Sequence, residues 1–300
     1  WIPYLMTCYH PLLAYKSEGK VVFNKPFAFA KGFNLPCGQC IGCRLNYSRQ
    51  WAIRIMHEAH MHEENCFITL TFNQEALEKR SNPLSLDVTE YQRFMKRLRK
   101  RFGNNIRFFH CGEYGDKNKR PHYHAIIFGL DFKDKKLWSE RDGNKLYTSE
   151  ALQELWPYGF STIGEVTFQL AAYVARYIMK KFKGEGAEDY YTRWCPLTGE
   201  GTPVEPEYCT MSRMPGIGRT WLEKYKSDVY PHDYVIINNH AVKPPRYYDS
   251  LLPEDELLEV KKRRAEQAPE TITEYNEAMD RLWVSEEIKL KRLELLIRNL

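Results

Sequence analysis

The sequence predicts an α+β fold: an antiparallel sheet with flanking helices, preceded by a cysteine-rich knuckle and followed by a helical extension. Three observations predict it. Residues 67–72 (FITLTF), 106–113 (IRFFHCGE) and 120–129 (RPHYHAIIFG) alternate or run apolar as strands do, whereas residues 91–102 and 167–182 repeat their apolar side chains at a helical period. Residues 115–119 (GDKNK) form a turn between two of the strands, which therefore pair as an antiparallel hairpin. The element order (helix, strand, helix, strand, strand, short helix, strand, helix) suits antiparallel strands with helices packed on one face. Four segments are expected: a cysteine-rich segment with a basic helix at 1–63, a core at 64–183, a loop and accessory segment at 184–252, and a helical tail at 253–300.

At the start, Trp1 to Leu5 precede Met6, and MTCYHP is expected to be the natural beginning, with the first five residues an upstream extension. Residues 16–30 are expected to fold as a hairpin over Glu18-Gly19. Cys37, Cys40 and Cys43 stand as C-x-x-C-x-x-C, with Gly38 and Gly42 allowing the turns that bring three sulfurs together. A fourth ligand is offered by Cys8 or His10, and structural Zn2+ is the first reading, ahead of free thiols and of an iron–sulfur cluster. Residues 44–62 read as a helix with an apolar face of Leu45, Trp51, Ala52, Ile55, Met56 and Ala59. Arg44, Arg49 and Arg54 are open to DNA phosphate and to plain solvation alike. Exposed polar positions account for His57, His60 and His62.

Residues 66–73 read as a central strand with both faces covered. A turn at 82–85 leads to Asp87 and Glu90, a capping-box-like helix start. Tyr91, Phe94, Met95, Leu98 and Phe102 then follow a helical period, while Arg93, Lys96, Arg97, Arg99, Lys100 and Arg101 form the densest basic run, read either as a solvated face or as a track for a nucleic-acid backbone.

The next two strands carry the candidate chemistry. In an extended segment His122 and His124 point the same way and Tyr123 the opposite way. If residues 106–113 pair with them, Glu113 joins both imidazoles in a His2Glu metal site with open positions. Residues 131–144 are charged and interrupted by Gly143, hence a surface loop. A short helix at 148–155 and a strand at 161–166 lead to the helix at 167–182, with Thr167 as N-cap. On it Tyr173 and Tyr177 are four apart and share a face, and Lys180 lies three residues beyond Tyr177, so that an ammonium can assist a phenol as nucleophile. Residues 184–206 are rich in Gly, Glu, Pro and Thr and read as a mobile loop. Residues 208–218 (YCTMSRMPGIG) read as ordered, and residues 253–300 as charged helices broken at Pro269.

Forty-four basic against 39 acidic residues give a net charge of only +5, so the distribution of charge matters more than its total. The 20 Tyr, 15 Phe and 7 Trp suit stacking on unpaired bases as well as an ordinary core. No apolar run approaches the roughly 18 residues of a membrane span, so no membrane partner is expected, and no G-x-x-x-x-G-K-[ST] phosphate loop is present.

HYH at 122–124, followed by YVARY at 173–177 and IMKK at 178–181, resembles the HUH superfamily of replication initiators, whose first strand motif has its counterpart in FITLTF. PCGQCIGCRLNYSRQWAIR at 36–54 and SRMPGIG at 212–218 are similar to segments of the initiators of gokushovirus-like microviruses, small single-stranded DNA phages. The resemblance covers about residues 6–225. Its order of motifs departs from conjugative relaxases, whose tyrosine precedes the histidines. The lysine often found three residues after the first tyrosine is Arg176 here, which leaves Tyr177 with Lys180 as the better match.

The resemblance implies an RRM-like nuclease sheet at 64–183, with Mg2+ or Mn2+ at His122, His124 and Glu113. It also implies site-specific nicking and rejoining of single-stranded DNA at a replication origin through a 5′-phosphotyrosyl bond, first at Tyr177 and then at Tyr173. A host helicase and polymerase would be the partners, in the cytoplasm of a bacterial host, and Arg44, Arg49, Arg97, Lys100 and Arg176 are the candidate DNA contacts. A plasmid-type initiator or transposase of the same superfamily, and a non-catalytic zinc-dependent nucleic-acid-binding protein, are the alternatives.

Overall fold

A computed structural model describes residues 8–115, 118–141, 143–176, 186–266 and 275–294. The chain divides into two units, Trp1–Tyr47 with Leu251–Leu300, and Ser48–Ser250. In the first unit, β1 (Leu12–Ser17), β2 (Lys20–Val22) and β3 (Gly32–Leu35) form a small antiparallel sheet in the order β2-β1-β3. The expected hairpin over Glu18-Gly19 is present, with both residues at positive φ (50° and 76°), the turn whose twist suits a two-residue connection. The strand β3 is an addition to what the sequence predicts. The helix α1 (Ile41–His60) starts in this unit and ends in the next.

The second unit contains β4 (Asn65–Leu70), α2 (Gln74–Glu78), α3 (Val88–Phe102), β5 (Arg107–Tyr114) and β6 (Pro121–Phe128). There follow β7 (Lys136–Arg141), β8 (Asn144–Thr148), α4 (Glu150–Leu155), β9 (Ser161–Gly164) and α5 (Phe168–Arg176). The chain continues through α6 (Ala187–Tyr190), β10 (Thr192–Trp194), β11 (Gly201–Pro203), β12 (Tyr208–Met211), α7 (Arg219–Val229), β13 (Val235–Ile237), β14 (His240–Val242) and α8 (Arg246–Asp249). In the first unit, α9 (Glu254–Glu266) and α10 (Tyr275–Glu294) complete the described residues. None of the described helices is long and apolar enough to cross a membrane.

Seven strands pair antiparallel in the order β12-β5-β6-β4-β9-β8-β7, so the fold is α+β with one large sheet. Alternation along β4, β5 and β6 sends Ile68, Leu70, Tyr123, Ala125 and Ile127 into one core and Phe67, Phe109, Ile126 and Phe128 into another. The first core takes Tyr91, Phe94, Met95 and Leu98 of α3 and Leu152 and Leu155 of α4. The second takes Ala52, Ile55 and Ala59 of α1 and Ala171 and Val174 of α5. Helices therefore cover both faces of the sheet, not one. The central strands are apolar on both sides, and a single helical layer would leave one of those sides in water.

Asp87 caps α3 by accepting from the Thr89 N–H at 2.8 Å, whereas the Glu90 carboxylate accepts from Arg80 and Tyr123. Two expected loops carry regular structure. Residues 131–144 contain β7 and the start of β8, and residues 184–206 contain α6 and the β10–β11 hairpin.

Candidate metal centre

The site is assembled by register. Glu113 of β5 lies opposite His122 of β6, Cys111 opposite His124, and Thr69 of β4 opposite His124 from the other side. Because side chains alternate, Thr69, Glu113, His122 and His124 all project from the face covered by α1 and α5. Glu113 is buried, and its Oε1 lies 2.6 Å from His122 Nε2 and 2.9 Å from His124 Nε2. The ligand atoms of the three residues lie within 4.8 Å of one another. From α5, the Tyr173 hydroxyl donates to the same Oε1 at 3.3 Å, and its ring meets His124 edge-on at 5.7 Å.

Each imidazole is held from behind. His122 Nδ1 faces the Arg120 carbonyl at 3.2 Å, and His124 Nδ1 faces Thr69 Oγ1 at 2.9 Å, with Phe67 stacked on the His124 ring at 5.4 Å. A carbonyl only accepts, so His122 carries its proton on Nδ1. In the neutral ring Nε2 is then a lone pair 2.6 Å from a carboxylate oxygen. Two acceptors at that distance need a cation to share, and this is the property of a metal site with its ring orientation fixed by outer contacts. Burial on its own would raise the Glu113 carboxyl, but the hydrogen bonds from His122 and His124 and their charges outweigh it and hold the carboxyl at about 2. The donor set fits a divalent cation that accepts both imidazole and carboxylate and keeps open positions.

The other sequence candidates fall in different places. Arg176 ends α5 with its guanidinium 5.7 Å over the Tyr173 ring. Tyr177 and Lys180 lie outside the described residues. Arg49 is exposed on α1, and Arg44 lies near the start of the same helix, in the first unit. Arg97 and Lys100 are on α3, which packs against the sheet face opposite the site, and Arg97 Nε donates to the Leu155 carbonyl at 3.0 Å. Cys8 joins Cys37, Cys40 and Cys43, whereas His10 lies against Glu286 at 2.5 Å.

The expectation that the α1 histidines are exposed fails for His57. It is buried, stacks on Trp221 at 3.5 Å and faces the Tyr248 hydroxyl at 2.7 Å, and burial pushes its pKa down to about 3. Sequence reasoning also missed Thr69 and the Arg120 carbonyl as supports of the histidines, although alternation along FITLTF already placed Thr69 on one face with Phe67. The SRMPGIG segment is anchored in the second unit by buried charge. Arg107 donates to the carbonyls of Met214 and Pro215 and to Glu58, and Glu58 accepts from the Gly218 N–H at 2.7 Å.

The fold and the site together define a class: an α+β protein that presents a carboxylate and two imidazoles at one point of an antiparallel sheet, with a helix-borne phenol beside them. A family model for replication-associated proteins of the ORF2 type matches residues 65–182, the stretch from β4 through α5 that holds this group. The chain is 34% identical over 256 residues to the replication-associated protein VP4 of Bdellovibrio phage phiMH2K, covering 81% of this chain and 76% of that one. It is 34% identical over 227 residues to the replication-associated protein ORF2 of Spiroplasma virus 4, covering 72% and 67%. With the replication-associated protein ORF4 of Chlamydia phage 1 it shares 31% over 229 residues, covering 73% and 54%. The chain belongs to the replication-associated proteins of the gokushovirus-like microviruses. No solved structure matches it.

Proposed function

We propose that this chain is a rolling-circle replication initiator of the HUH type, a metal-dependent, site-specific endonuclease and strand transferase acting on single-stranded DNA. Residues 64–183 form its nuclease core, and the segments 1–63, 184–252 and 253–300 are additions. The observation that carries the reading is the meeting of Tyr173 with Glu113, His122 and His124, a nucleophile and a metal-ligand set brought together from a helix and two strands.

In this reading Glu113, His122 and His124 hold Mg2+ or Mn2+, which would neutralise the non-bridging oxygens of one phosphodiester and orient its phosphorus for in-line attack. Thr69 and the Arg120 carbonyl fix the two imidazoles. Tyr173 and Tyr177 are the nucleophiles. The attacking phenol loses its proton to solvent, a tyrosyl O–P bond forms, the P–O3′ bond breaks, and a free 3′ hydroxyl is left for a host polymerase to extend. The second phenol cuts the regenerated origin, and the 3′ hydroxyl resolves the first link. Each exchange conserves one phosphodiester, so joining needs no nucleotide cofactor. Arg176 adds positive charge beside the phenol, and Lys180 is assigned the same task at Tyr177.

Strand separation falls to a host helicase, and the setting is the cytoplasm of the bacterial host. Support comes from the site geometry, from relatives named as replication-associated proteins of phages, and from the motif order HYH before YVARY. Incubating the protein with its own genome in Mn2+ or Mg2+ and mapping the nicked phosphate tests the reading. A nick at one site with protein attached to the 5′ end is expected. Binding without any nick would leave a non-catalytic DNA-binding protein.

A further inference from the structure

Among the described residues, a second group of converging ligands lies in the first unit, where Cys8, Cys37, Cys40 and Cys43 hold their four sulfur atoms within 4.8 Å of one another. We propose that these four cysteines bind a single Zn2+ ion as thiolates, and that this ion takes the place of an apolar core in folding residues 8–43.

Four observations carry the proposal. The first is spacing. Four sulfurs at about 2.3 Å from one tetrahedral zinc stand about 3.8 Å from each other, and the Cys8 and Cys40 sulfurs are 3.9 Å apart. Disulfide sulfurs would sit at about 2 Å, and all four cysteines are free. An iron–sulfur cluster places its cysteines on separate irons and so needs a wider ring.

The second is hydrogen bonding. Backbone N–H groups point at the sulfurs: Cys37 donates to Cys8 at 3.2 Å, Gln39 and Cys40 to Cys37 at 3.4 and 3.2 Å, and Tyr9 and Cys43 to Cys40 at 3.2 and 3.5 Å. A zinc tetrathiolate carries two net negative charges, and amides aimed at its sulfurs offset the cost of burying them. Gly38, at φ +76°, supplies the turn that makes this wrapping possible.

The third is the lack of any other core. The buried cluster here consists of Cys8, Cys40 and Cys43, flanked by Tyr9 and Cys37, while Leu12, Leu13, Val21, Phe23, Phe27 and Phe29 are exposed. Chains this short fold when a metal, a disulfide or a partner supplies what burial does not.

The fourth is chemical selection. Thiolates favour zinc over ferrous iron in the ordinary affinity order of divalent metals.

The proposal is independent of the nicking reading, because its readout is metal content. The full-length protein is purified without chelator and its metals are measured, alongside His122→Ala, Cys40→Ser and Cys195→Ser. Wild type, His122→Ala and Cys195→Ser should each carry about one zinc per chain, and Cys40→Ser should lose it. Cobalt exchanged into wild type should give the visible bands of a tetrahedral thiolate complex, a readout that stands even if Cys40→Ser fails to fold. Removing zinc should expose residues 8–43 to protease. Wild-type protein without stoichiometric zinc, iron in its place, zinc lost from His122→Ala, or cobalt bands of a nitrogen and oxygen site would each overturn the assignment.

Discussion

Glu113→Gln removes one negative charge from the centre while keeping the side chain's shape, and its effect can be sized from the structure. The imidazole interactions that bring the Glu113 carboxyl from 4.5 to about 2 exceed the opposing effect of burial. Their net worth is about 3 kcal/mol. A bound divalent cation replaces those imidazolium charges as the carboxylate's partner, so losing the carboxylate should weaken Mn2+ binding by roughly a hundredfold or more.

The sign of the pH dependence follows. With its folded value depressed, Glu113 contributes stability that is complete above the ordinary carboxylate range and is lost as pH falls toward 2. It stays ionised at neutral pH, and the rise of metal affinity with pH comes from protons displaced from the imidazoles. Calorimetric titration with Mn2+ reads the effect, with near-ultraviolet circular dichroism to show that the variant is folded. A folded Glu113→Gln protein with unchanged Mn2+ affinity would refute the site.

Further outcomes are expected. Thr69→Val removes the hydroxyl that steadies His124 Nδ1 at 2.9 Å and should lower Mn2+ affinity by about 10- to 100-fold with little change in stability; wild-type affinity would show that Thr69 does not orient the ring. Glu58→Gln leaves Arg107, its ion-pair partner at 2.5 Å, without a charge to face, and should destabilise the fold by about 3–5 kcal/mol in urea titrations at neutral pH. Burial raises the Glu58 carboxyl, but hydrogen bonds from His62, Gly218 and Arg107 hold it below the usual range. Its contribution is thus present at neutral pH and lost in acid, and the gap between Glu58→Gln and wild type should close as pH falls. A gap independent of pH would count against it.

The parts of this molecule that could be read in advance are those where one face of an element is buried. Period-two alternation placed Glu113, His122 and His124 on one side of a hairpin, and the register Glu113 to His122 follows from the turn between them. The β7–β8 hairpin escaped because Leu137 and Trp138 are exposed and its other positions charged, so no buried face imprints a period. The hairpin and short helix within 184–206 were hidden by the same lack of burial and by a Gly- and Pro-rich composition. Sequence also fails to say which side of a sheet a helix lands on. The basic run of α3 looked suited to line the site, yet its apolar stripe docks it on the opposite face. His57 shows the reverse error, a polar residue assigned to water that is enclosed by Trp221 and Tyr248, neither close to it in sequence.

The central claim is that a phenol from the helix after HYH takes up the cut strand at the His2Glu centre. The measurement that tests it most directly is mass spectrometry of the tryptic peptide that retains a nucleotide after reaction with a single-stranded origin oligonucleotide in Mn2+. The modification should fall on Tyr173 or Tyr177, and the double variant Tyr173→Phe with Tyr177→Phe should form no adduct. A nucleotide on any other side chain, or an adduct that persists in the double variant, would contradict the account.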